Sequence, residues 1–213
     1  MTTQVRQSDF APRVREFLKD LQTHNDRDWF RAEKVRYDAE VRRPAEQLIA
    51  SVGSALSRQA GSRVRSKLFR LHRDVRFSDD KTPFYTHLHA AWTVPDGRGW
   101  YFGLSPDYAT AGAGVMQFDE DQAEDWADAI DGPPGEALTG LLDDLGGRLD
   151  PPELDSPPGP FAPDHPRAAL LRRTGCVVWI DGLYEALCED PEHALLSSFK
   201  RLEPLQGWLA RAL

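Results

Sequence analysis

The feature that most constrains this chain is a change in hydrophobic period. Up to about residue 60, apolar side chains recur every three or four positions, and from Phe69 to Leu104 they recur mostly every second one. The first spacing belongs to amphipathic helices and the second to strands with one buried face. A chain that runs helices first and strands next folds as α+β, with helices packed on the apolar side of an antiparallel sheet. In the first segment, Phe10, Val14, Phe17, Leu18 and Leu21 share one helical face, with Asp9 as the expected N-cap. Asn25 or Asp26 caps a second helix carrying Trp29, Phe30, Tyr37 and Val41, all expected in the core. Pro44 then breaks the chain before a third helix through Leu48, Ile49, Val52 and Leu56, which stops at Gly61.

Three strands are predicted next. Phe69 to Ser78 sets Phe69, Leu71, Val75 and Phe77 against Arg70, His72, Asp74 and Arg76, with Arg73 interrupting the apolar face. Thr86 to Val94 sets Leu88, Ala90, Trp92 and Val94 against His87, His89, Ala91 and Thr93. A turn at Asp96-Gly97-Arg98-Gly99 leads to Trp100, Phe102 and Leu104 opposite Tyr101, Gly103 and Ser105. The result is a meander that is apolar on one side and densely polar on the other. Ala111-Gly112-Ala113-Gly114 reads as a bend at a strand end. Farther on, Asp119 opens a helix through Trp126 and Ile130 that ends at Gly132-Pro133-Pro134-Gly135, and a short helix covers Glu136 to Leu145. Nine of the sixteen prolines lie between Pro133 and Pro166, a surface connection. A strand at Gly175 to Ile180 and a helix from Ala194 to Leu213 complete one expected domain over residues 1–213, with helices in 9–60, strands in 64–118 and mixed elements in 119–213.

Composition excludes several classes. No apolar run reaches the ~20 residues of a spanning helix, and the first residues lack the apolar core of a signal peptide, so a cytoplasmic protein without a membrane partner is expected. Cys176 and Cys188 form neither a disulfide framework nor a zinc pattern. The net charge of −8 is unevenly placed: 19 basic and 13 acidic residues precede Phe102, and 7 basic and 21 acidic residues follow from there. Such a split describes either a polyanion-binding patch beside an acidic tail or two halves that neutralise each other across their contact, and the second is expected here. No nucleic-acid partner is inferred. Walker A, GxSxG, HExxH and GxGxxG patterns are absent, so no cofactor is indicated.

Candidate chemistry concentrates between Phe69 and His87. On an extended strand Arg76 lies about 7 Å from Asp74 and Ser78 and roughly 20 Å from Arg70. Arg76 and Lys81 would hold a small anion, Ser78 would donate to it, and Asp74 would orient an arginine or act as a base. Arg70 would serve the far end of a longer ligand. Arg73 and Asp80 complete the set, Arg73 as the mark of a bulge. One alternative is an interaction module, in which the basic front half docks nucleic acid or a protein partner and the same alternation is a purely structural ion-paired motif. Another is a metal-dependent hydrolase using His72, Asp74 and His87, although His72 and His87 match no metal signature.

Taken together, several segments resemble the bacterial and fungal family known as domain of unknown function 2461. They are His24-Asn25-Asp26-Arg27-Asp28-Trp29-Phe30, Arg73-Asp74-Val75-Arg76-Phe77-Ser78, Asp80-Lys81-Thr82-Pro83-Phe84 and Asp164-His165-Pro166 with Leu170-Leu171-Arg172. The resemblance spans almost the whole chain and implies one α+β domain without an established reaction, substrate or cofactor. The chain departs from the family pattern at Tyr85, where lysine is common, and at His89, where glycine is common.

Overall fold

The structure is a computed structural model describing residues 9–213. α1 (Phe10–Thr23) buries the predicted stripe of Phe10, Val14, Phe17, Leu18 and Leu21. Asp9 does not cap it, because its backbone is already in the helical region and its side chain makes no capping bond. Asp26 does cap α2 (Arg27–Ala32), accepting from the backbone N–H groups of Asp28 and Trp29. α3 (Lys34–Arg36), a π-helical stretch (Tyr37–Arg42) and α4 (Arg43–Ala60) follow without interruption. Pro44 therefore does not break the chain. It sits in the first turn of α4, where a missing N–H costs least, and the wider π-helical turn immediately precedes it. Gly61 ends α4 in the left-handed conformation, as its position in the sequence predicts.

Six antiparallel strands follow: β1 (Arg65–Leu68), β2 (Leu88–Thr93), β3 (Arg98–Leu104), β4 (Ala109–Val115), β5 (Arg148–Leu149) and β6 (Cys176–Ile180), in the spatial order β1-β2-β3-β4-β6-β5. α5 (Glu120–Asp131) and α6 (Pro133–Leu145) connect β4 to β5. The proline-rich segment and α7 (Ala168–Leu171) lead to β6, and α8 (Tyr184–Glu189), α9 (Pro191–Arg201) and α10 (Glu203–Ala212) close the chain. One face of the sheet takes the helices. Ala90, Trp92, Trp100, Phe102, Ala111, Ala113 and Val178 join the helical side chains there in one core. The buried indole of Trp92 donates to the carbonyl of Ile49 in α4 at 2.9 Å and meets Phe199 of α9 edge-on.

Four predicted elements are revised. Phe69 to Ser78 is not a continuous strand: the β1 ladder ends at Leu68, one further bond joins Phe69 N–H to the His89 carbonyl, and beyond it only an isolated antiparallel bridge, His72 with Phe84, pairs the segment, with Leu71 buried but Phe77 96% exposed. Its alternation arises from charge pairs within a loop, not from a pleat. Ala111 to Gly114 is no bend but the middle of β4, whose small residues allow close approach on both faces. Gly132-Pro133-Pro134-Gly135 begins α6 as well as ending α5, since proline is tolerated in a first turn. The C-terminal helix is two, divided at Leu202, with Pro204 in the first turn of α10.

The expected neutralisation of one half by the other also fails. Among the described residues, every ion pair joins two residues of the same half, such as Arg36 with Asp20 and Glu40, or Arg148 with Asp150 and Asp181. Charges are compensated locally, and the imbalance between the halves persists on the surface.

Gly114 is the tightest joint in the sheet. Its φ is +147°, and an added Cβ would lie 1.8 Å from the carbonyl oxygen of Cys176 on the neighbouring strand. Gly114→Ala is expected to open the β4–β6 ladder and cost about 3 kcal/mol or more, measured as the shift in a urea unfolding curve.

Candidate functional site

Among the described residues, no helix packs on the second face of the sheet. That face forms a groove of about 1020 Å³ with its own small apolar cluster, Ala91, Tyr101 and Val177 packed with Trp179. The groove was not legible as a polar face, because its floor is rings lying on glycine. Strand register produces one continuous row across all six strands: Lys67, Ala91, Tyr101, Gly112, Trp179, Arg148. The Trp179 ring lies so close over Gly112 that a Cβ there would come within 2.5 Å of it. In the next row His89 faces Gly103, whose missing side chain leaves room for the rings of His89 and Tyr108.

The two rims differ in charge. At the β5–β6 rim, Arg148 bonds Asp181 at 2.7 Å and also Asp150, while Asp150 accepts from the Trp179 indole at 3.0 Å. That rim is internally satisfied, and the network fixes the Trp179 ring. Opposite, on edge strand β1, Arg65 and Lys67 form no ion pair among the described residues, and the Lys67 ammonium stands 4.4 Å from the centre of the Phe69 ring. The uncompensated positive charge of the groove thus lies on one side.

The predicted anion residues are on the loop between β1 and β2, and they divide. Arg73, 18% exposed, points inward, where it donates to Asp80, to the Thr82 hydroxyl at 2.5 Å and to Ser78 at 3.4 Å. Asp80 also accepts from the Thr82 backbone at 2.9 Å, and these bonds hold its carboxyl down at about 2. Arg76, 75% exposed, is closed by Asp74, which occupies its guanidinium fork at 2.6 and 2.9 Å. Lys81 donates to the carbonyl of Val75 at 3.1 Å, and Arg70 stands exposed. Both guanidinium forks therefore already hold carboxylates. Arg73 and its partners form a structural knot, whereas the exposed Arg76–Asp74 pair is screened by solvent and holds little in place.

Asn25 anchors the same loop from the helical side. Its amide donates to the Phe84 carbonyl at 2.9 Å and accepts from the Phe84 N–H at 3.1 Å, as a neighbouring strand would. The Phe84 ring stacks on Phe30 at 4.2 Å, and His72 meets both rings edge-on. His87 belongs to a different stack, so His72 and His87 are not brought together. Among the described residues no three His, Cys, Asp or Glu side chains converge as metal ligands.

From the knot a ladder of rings runs to the groove. The Arg73 guanidinium lies 5.4 Å from the Tyr85 ring, Tyr85 stacks on His87 at 4.9 Å, and His87 stacks on His89 at 3.8 Å. His89 Nε2 shares a 2.7 Å hydrogen bond with the Tyr108 hydroxyl. Burial, reinforced by His87, pulls His89 down to about 4, so it is neutral near pH 7, and burial raises Tyr108. The pair is a neutral donor and acceptor at the groove wall. Sequence reasoning placed His89 on the correct face but considered it only as a weak metal ligand beside His87, and it missed Lys67, Tyr101, Tyr108 and Trp179 as groove residues. The signal for the last three was an aromatic residue facing glycine, which appears only once the register is known.

A family described as conserved hypothetical protein (DUF2461) matches residues 13–208. The chain belongs to that family. The membership covers the helices, the Arg73 loop and the whole sheet, so the DUF2461 pattern and the groove belong to one unit. No curated protein and no solved structure matches the chain. Tyr85 and His89 flank His87 in the ladder, so all three rings form one stacked wall.

His89 makes folding pH-dependent with a definite sign. Its folded value lies below the ordinary 6.5, so between 6.5 and about 4 the unfolded chain binds more protons and stability falls as pH is lowered. His89→Phe is expected to flatten the thermal-unfolding profile between pH 6.5 and 5 relative to the parent protein.

Proposed function

We propose that the protein binds a small ligand carrying a planar group and an anion in the open-face groove. Lys67 and Arg65 hold the anion, and Tyr101 and Trp179 provide the stacking floor. The observation that carries this reading is the register row, in which an unpaired cation on β1 and two rings on glycine line up across a groove whose opposite rim is closed by its own ion pairs. A pocket of this kind suits a ligand of several hundred Å³, with an apolar floor for affinity and a few polar groups for orientation. In this reading the Arg73 loop positions the groove wall and does not contact the anion. The reading moves the anion site from the predicted Arg76–Lys81 turn to the neighbouring β1 edge, since Asp74 and Asp80 supply the carboxylates that a bound anion would otherwise replace.

Naphthalene-2-sulfonate, a planar anion, tests it. Saturable quenching of tryptophan fluorescence is expected, reduced at least tenfold by Lys67→Gln with Arg65→Gln and lost from the spectrum of Trp179→Phe. Absence of saturation at millimolar probe, or binding indifferent to Lys67 and Arg65, overturns the proposal.

A further inference from the structure

The layout of the groove specifies more than a planar anion. Lys67 and Tyr101 lie in one row on β1 and β3, two strand spacings or about 10 Å apart. Between them is Ala91, whose side chain is too small to fill the gap, with the hydroxyl of Thr93 in the adjoining row. An aromatic acid whose anion is attached to the ring, such as naphthalene-2-sulfonate, reaches Lys67 only with its ring drawn partly off Tyr101 toward Ala91. A ring, a polar linker of sugar size and a terminal anion would span the full distance. Two residues along β2 from Ala91, His89 and Tyr108 share their hydrogen bond with no carboxylate attached. An uncharged pair of which each member both donates and accepts is suited to the mixed donor and acceptor edge of a heterocycle, and unsuited to a second anion.

Resting on the reading above, we infer that the ligand class is a nucleoside monophosphate. Its phosphate lies on Lys67 and Arg65, its sugar over Ala91, its base against Tyr101 on the Ala91 side, clear of Gly112, which the Trp179 ring already covers, and the base edge toward His89 and Tyr108. The closed rim of Arg148, Asp150 and Asp181 limits the groove beyond Trp179 and leaves no second free cation there, so the site fits one phosphate group at the β1 edge. Base stacking on an aromatic floor and phosphate pairing with lysine are independent contributions, and joining them in one molecule raises affinity beyond either part.

Calorimetric titration of the full chain with adenosine 5′-monophosphate, adenosine, inorganic phosphate and naphthalene-2-sulfonate decides the matter, with guanosine, cytidine and uridine monophosphates as further ligands. The expected result is that at least one monophosphate binds about 100-fold more tightly than its nucleoside or phosphate alone. Lys67→Gln should reduce that affinity to the level of the nucleoside. Tyr108→Phe should narrow the differences among the four bases without changing sulfonate binding, a readout that a purely structural role for Tyr108 would not produce. If sulfonate binds and no monophosphate exceeds its own parts, the nucleotide assignment is wrong while the planar-anion reading stands. If neither sulfonate nor any nucleotide binds, both are wrong.

Discussion

The open face of the sheet depends on one constraint, the placement of aromatic rings directly over backbone. Tyr101 and Trp179 sit on either side of Gly112 in the cross-strand register, and Gly103 makes the equivalent space for His89 and Tyr108. A side chain at Gly112 would lift Trp179 from the floor and release its bond to Asp150, and with it the network that closes the β5–β6 rim. The same strand, β4, presents Ala111 and Ala113 to the helices on the other face. A strand of alternating alanine and glycine is thus what a sheet needs when helices press on one side and rings lie flat on the other. The sequence Ala-Gly-Ala-Gly looks weak as a strand in isolation, and it is stabilised by what covers it.

The loop between β1 and β2 is held by two side chains that act as substitutes for missing strands. Asn25 pairs with both backbone groups of Phe84, and Arg73 gathers Asp80, Thr82 and Ser78. These residues lie in the segments that carry the resemblance to DUF2461, so a large part of that pattern is explained by loop architecture alone. What the architecture delivers is position: the loop ends in Tyr85 and His87, whose rings set His89 against Tyr108 at the groove. A residue such as Arg73 can then shape the groove wall from a distance, because fixing one end of a stack restricts the rotamers available at the other.

Much of the fold was readable from periodicity. The stripe of α1, the capping of α2 by Asp26, and the inward and outward faces of β2 and β3 follow from local chemistry and were predicted as they are. The failures share a cause. Phe69 to Ser78 alternates because Asp74 pairs with Arg76 two residues on and Arg73 reaches Asp80, so side chains at strand spacing satisfied one another inside a loop. Local alternation cannot distinguish that from a pleat, and Phe77, exposed to solvent, is the residue that betrays the difference. The candidate site was legible only in part for a related reason. Charged residues announce themselves in a sequence, whereas Ala91, Gly103 and Gly112 acquire meaning only through the strands they face.

The charge distribution is best understood at the scale of single partners. Because ion pairs form within each half of the chain, net charge of either half says little about any one site. Beyond roughly 8 Å at physiological salt, exposed charges are largely screened, so a distant surplus of carboxylates opposes an anion in the groove less than a single neighbouring one would. The nearest groups decide, and at the β1 edge these are Arg65 and Lys67, which have no carboxylate partner among the described residues, while at the β5–β6 rim Asp150 and Asp181 already hold Arg148. A protein with a net charge of −8 therefore still presents one short cationic edge beside an aromatic floor, and the polarity of the groove is set by which of its arginines found a carboxylate within its own segment.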